Sequence, residues 1–90
     1  MFRQDVPSGG QQEAQLAIAM PEETEALIAY AALIPETLRT ARESEVVISV
    51  SGKTLLVDFK AETVSGLRAL VNSYLRWIAM IQKTLDIISD

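Results

Sequence analysis

From Thr63 to Ile88 the chain runs without a proline through an unbroken helical pattern whose apolar residues are too many for one face. At 100° per residue, Leu67, Leu70, Val71, Tyr74, Trp77, Ile78, Met80, Ile81, Leu85, Ile87 and Ile88 spread over an arc of roughly 220°, whereas packing on a single sheet uses about 100°. Arg68, Asn72, Arg76, Lys83 and Asp86 are confined to the remaining narrow polar stripe. A chain of 90 residues buries only roughly 60–65% of its unfolded surface, enough for one small core. The surplus must be absorbed by a thick core or by a second chain, and the second chain is favoured because the first helix adds a flat small-residue side (Ala26, Ala29, Ala32), so that two adjacent helices present a groove.

The rest of the chain supplies the sheet that such a helix needs. Leu16, Ile18 and Met20 alternate with Ala17 and Ala19, which is strand periodicity starting near Ala14. Pro21-Glu22-Glu23 reads as a helix entry, with proline at the first helical position and the acids at the positive end of the dipole. That helix should reach about Leu33, with Leu27, Tyr30, Ala31 and Ile34 as its apolar row, Ala26, Ala29 and Ala32 as a flat small-residue side, and Pro35 ending or kinking it. A short turn or 3₁₀ piece is expected from Glu36 to Ala41. Val46, Ile48 and Val50, then Leu55, Val57 and Phe59, alternate with Ser49, Leu56, Asp58 and Lys60 about a Ser51-Gly52-Lys53 turn, the signature of a β-hairpin. Thr63 or Ser65 should cap the final helix. The expected class is α+β, a single β-α-β-β-α domain over residues 13–90 with a three-stranded antiparallel sheet and two helices on one face, preceded by a disordered arm over residues 1–12 that holds Pro7 and Ser8-Gly9-Gly10.

Composition narrows the chemistry. The chain has no Cys and no His, which removes thiolate nucleophiles, disulfides, the commonest metal ligand and the commonest general base. Of the carboxylates Glu22, Glu23, Asp58 and Glu62, the first two are accounted for by the helix dipole and Asp58 by the solvent face of a strand, so no acid–base pair is expected. Gly52 and Gly66 lack the companions of a phosphate-cradling loop. No catalytic, cofactor-binding or metal residue is expected. No apolar run reaches the ~20 residues of a membrane span, and with no signal pattern the expected compartment is the cytoplasm. A net charge of −4 opposes nucleic-acid binding by the isolated chain through a broad basic field.

Several segments together resemble a known family: Ile34-Pro35-Glu36 followed by Arg39 or Arg42, Val46 to Ser51, Gly52, Leu55 to Val57, Ala61, and above all Gly66-Leu67-Arg68-Ala69 with Asn72-Ser73-Tyr74-Leu75-Arg76-Trp77-Ile78. They look like the Pcc family, the small dimerising subunit of the KEOPS complex, over about Glu13 to Ile88. Ala61-Glu62-Thr63 departs from the family pattern, in which an aspartate follows the alanine or comes one residue later. The resemblance implies a non-catalytic dimerisation and scaffold subunit, a homodimer or a heterodimer with a paralogue, of a machine that makes threonylcarbamoyladenosine in transfer RNA. It also implies that both helices pack against the helical part of the catalytic ATPase-fold subunit, with transfer RNA contacted only in the assembled complex and no membrane involved.

On this reading Leu27, Tyr30, Leu70, Tyr74, Trp77, Met80 and Ile81 are the partner-binding candidates, and of the two aromatics Trp77 is the better one because it lies farther toward the polar boundary than Tyr74. Arg68, Arg76 and Lys83 are candidate contacts to RNA phosphates, set against the plainer reading of a solvated stripe. The alternative function is a small RNA-binding K-homology-like module, which the element order permits but the missing Gly-x-x-Gly loop and the acidic charge oppose.

Overall fold

In the computed structural model, which describes residues 11–39 and 44–88, the chain is ordered as β1 (Gln12–Ala19), α1 (Glu23–Thr37), β2 (Ser44–Ser51), β3 (Thr54–Ala61) and α2 (Val64–Ile88). Residues 1–10 of the expected 1–12 arm and residues 40–41 of the expected 36–41 turn lie outside the described residues. The strands form one antiparallel sheet in the order β1-β3-β2, so β3 is central and both neighbours are edges. α1 lies over β2 and β3, and α2 over β3 and β1, which places both helices on one face.

Each strand divides its residues by period two. Leu55, Val57, Phe59 and Ala61 of β3 are buried beneath the helices with Val46 and Ile48 of β2, and Ala14, Leu16 and Ile18 of β1 pack against them. The outer face shows Gln15, Ala17, Val47, Ser49, Asp58 and Lys60. Across that face Lys60 stands in register between Glu13 of β1 and Glu45 of β2, and Gln15 Nε2 donates to Asp58 Oδ1 at 2.6 Å. The hairpin turns on Gly52 and Lys53, with Gly52 at φ 60°, the left-handed region that a tight hairpin requires and glycine enters without a Cβ clash. The Met20 amide donates to the Lys53 carbonyl at 2.8 Å, which ties the end of β1 to this turn.

Several boundaries differ from expectation, each for a local reason. Gln12 belongs to β1 rather than to an arm, because it pairs with Ala61. Pro21 stands before α1 rather than at its first position: Glu22 is the N-cap, and its carbonyl accepts from Glu25 N at 3.1 Å and Ala26 N at 3.2 Å. α1 runs through Pro35 to Thr37 instead of ending near Leu33. Proline at this position removes only the amide bond to Ala31, which is exposed, so water can take that carbonyl. The helix then tightens and stops, with Leu38 N donating to Pro35 O at 3.2 Å and Arg39 N to Glu36 O at 3.1 Å, the i→i+3 pattern expected there. Thr63 is the cap of α2, since its Oγ1 accepts from Gly66 N at 2.9 Å. Ala26 and Ala29 are fully buried against the sheet, so these two residues of the small-residue side of α1 form a close-approach surface and offer nothing to a partner, while Ala32 is exposed.

The helices and strands are mismatched in length. At 1.5 Å per residue α2, with 25 residues, is about 37 Å long, while the strands of 8 residues span about 27 Å. The C-terminal turns of α2 therefore project beyond the sheet, in a molecule 47 Å in its longest extent.

Candidate functional site

Toward its C-terminus α2 has α1 beside it. The chain direction makes the two helices antiparallel, which brings the N-terminal half of α1 to the C-terminal half of α2. Between them lies an open groove of about 280 Å³ lined by Ile28 and Ala32 of α1 and by Met80, Ile81, Thr84, Leu85 and Ile88 of α2. Thr84 donates its hydroxyl to the Met80 carbonyl at 3.0 Å, so the polar group of the lining is engaged within the helix. Met80 is 60% exposed and Ile88 71% exposed. A wall of aliphatic residues that remains this open suits a helix laid into it.

The expected partner-binding residues fall into three places. Met80 and Ile81 line the groove. Leu27 and Tyr30 lie on the other flank of α1, which by helix geometry points away from α2 and over the β2 edge; Leu27 is 51% exposed and Tyr30 half-buried. Tyr74 belongs to the core. Its ring is 1% exposed and packs edge-on against Phe59 at 5.4 Å and Trp77 at 5.0 Å between centroids, which leaves it no surface to present. Trp77 and Leu70 are half-buried and pack against the same core. Ile28, Thr84, Leu85 and Ile88 were not among the expected contact residues. The adjacent pair Leu27-Ile28 held the signal, because two neighbours 100° apart cannot both face one sheet.

Arg68, Arg76 and Lys83 are exposed on the outward side of α2 with Asn72 among them, as the stripe required. A second concavity, of about 510 Å³, lies at the outer sheet face, lined by Glu13, Gln15, Glu45, Val47, Asp58 and Lys60 among others. Its groups are solvent-facing strand side chains without a nucleophile, and among the described residues no group of three or more His, Cys, Asp or Glu is placed to hold a metal ion.

Comparison with known proteins agrees with the fold and with the family resemblance. The family described as "Transcription factor Pcc1" matches residues 13–86. The chain belongs to the Pcc1 family. Among Pcc1 relatives, the KEOPS complex subunit Pcc1 of Pyrococcus abyssi is 30% identical over 76 residues, covering 83% of this chain and 93% of that protein. A chain of the crystal structure of the binary complex Gon7-Pcc1 superposes with a TM-score of 0.78 at 26% identity, covering 86% of this chain and 95% of that one. Gly66–Ala69 and Asn72–Ile78, the segments on which the sequence resemblance rested, both lie in α2 and include the core residues Leu67, Tyr74 and Ile78. Among the described residues no helix of this Pcc1 family member is long and apolar enough to cross a membrane.

Proposed function

We propose that this chain is a non-catalytic scaffold subunit of a KEOPS-type complex, supporting threonylcarbamoyladenosine modification of transfer RNA in the cytoplasm and docking a helical segment of the catalytic ATPase-fold subunit between α1 and α2. The observation that carries the reading is the aliphatic groove at the overhanging end of the helix pair, which the chain's own core leaves open. The relatives named as a KEOPS subunit and as a member of a Gon7-Pcc1 complex support it.

The same reading includes pairing with a second copy or a paralogue. Among the described strands β1 and β2 each pair with β3, in one-to-one register along all 8 residues, and neither contains a proline, a lysine or a bulge. Edges without such protection are templates for another strand. The β2 edge is the better placed, since Leu27 and Tyr30 flank it with apolar surface.

Co-purification of the full chain with the catalytic and kinase-like subunits tests the assignment. Met80→Glu should abolish recovery of the catalytic subunit while leaving thermal unfolding within a few degrees. Undiminished recovery with this variant would move the contact elsewhere on the molecule. Light scattering at micromolar concentration should show twice 9.9 kDa, and a monomer alone would remove the dimer.

A further inference from the structure

Charge is segregated along this chain. Asp and Glu number 12 against 8 Lys and Arg, yet from Val64 to Leu85 α2 contains no acidic residue and carries Arg68, Arg76 and Lys83. The helical neighbours of Arg76 at three and four residues are Asn72, Ser73, Ala79 and Met80, so no carboxylate of its own helix faces it. Lys83 has Asp86 three residues on, but among the described residues neither cation has an ion pair.

These cations border the groove. At 100° per residue Arg76 and Lys83 fall about 20° apart around α2, with Met80 about 40–60° further toward α1. They form a wall about 10 Å long above the α2 side of the aliphatic floor. The corresponding outward positions of α1, Thr24, Ala31 and Pro35, are uncharged, and the carboxylates of Glu23 and Glu25 belong to its first turn. The groove is therefore asymmetric in charge across its width.

We propose that the groove takes an amphipathic helix with carboxylates along one flank of its apolar stripe, about seven residues apart, matched to Arg76 and Lys83. This rests on the reading that the groove docks a helix. The apolar stripe supplies most of the affinity, and the flanking carboxylates set direction. Reversing the helix in the groove swaps its flanks, moving the carboxylates away from Arg76 and Lys83 to the α1 side, the flank of α1 that carries Glu25. Docking also lowers the local dielectric at the rim, which strengthens a matched pair and penalises an unmatched one.

The test uses the full chain and three synthetic helical peptides that share one Leu/Ile stripe and carry Glu, Gln or Lys along one flank, with binding read by fluorescence anisotropy. The Glu peptide should bind about five- to tenfold more tightly than the Gln peptide at low salt, the Lys peptide should bind weakest, and the spread should narrow near 0.5 M salt. Arg76→Glu with Lys83→Glu should reverse the order at unchanged circular dichroism. Equal affinities overturn the charge inference and leave the groove reading standing; binding of none of the three overturns both. Salt-sensitive binding of a transfer RNA probe that the double variant abolishes, with the peptide order unmoved by that variant, overturns the inference in favour of a nucleic acid on the stripe.

Discussion

Replacing Tyr74 with Ala separates a core residue from a surface one most sharply. The ring is 1% exposed and sits edge-on to both Phe59 and Trp77. Truncating a buried aromatic costs about 3–5 kcal/mol through lost transfer energy and the cavity left behind. The two edge-on pairs put this site toward the upper end, since each adds about 0.5–1.5 kcal/mol beyond area. A loss of about 4 kcal/mol is a large share of the roughly 5–15 kcal/mol available to a domain. At about 4–8 °C per kcal/mol for this size, the midpoint should fall by roughly 15–30 °C. Circular dichroism follows the fold, and Trp77, the single tryptophan, reports the cluster directly because its ring centroid lies 5.0 Å from that of Tyr74. Protomer concentration must be held constant, since self-association would raise the midpoint by mass action. Met80→Ala, at a site 60% exposed, is the matched control and should cost less than about 1 kcal/mol. A drop of under about 5 °C for Tyr74→Ala would refute the core assignment and return this side chain to the list of surface contacts.

Thr63→Ala removes the oxygen that accepts from Gly66 N at 2.9 Å and should cost about 1 kcal/mol, read as a lower midpoint in the same melt. Gly52→Ala meets no atom within 4 Å, so its expected loss of about 1–2 kcal/mol comes from the backbone at φ 60° alone; Gly52→Asn should lose less, and equal losses would point to another cause. Lys60→Glu would place three carboxylates in one cross-strand row with Glu13 and Glu45 and should cost about 1–2 kcal/mol in urea melts at low salt, shrinking near 1 M salt.

The sequence by itself determined what depends on neighbours along the chain. Period-two alternation told which residues of each strand share a face, Gly52 marked the turn, Thr63 marked a helix start, and Pro35 marked where α1 begins to close. These are local signals, because steric limits and backbone hydrogen bonding act within a few residues. Tertiary structure decided what depends on partners far along the chain. The insertion of β3 between β1 and β2 is a pairing of Gln15 with Asp58, 43 residues apart, and no local signal distinguishes it from other strand orders. Periodicity likewise gave the width of the apolar arc on α2 but not its division. Tyr74 and Trp77 lie only about 60° apart on the helix, yet one is enclosed by Phe59 and the other is half-open, because the position of α1 and the reach of the sheet set how deep each is buried. The alanines of α1 show the same limit from the other side. Small residues suit a partner's approach and a sheet's approach equally, and only the packed helix reveals that Ala26 and Ala29 face the sheet while Ala32 borders the groove. A repeat along one chain specifies a face relative to its own axis, and what that face meets is fixed only when every other element has taken its place.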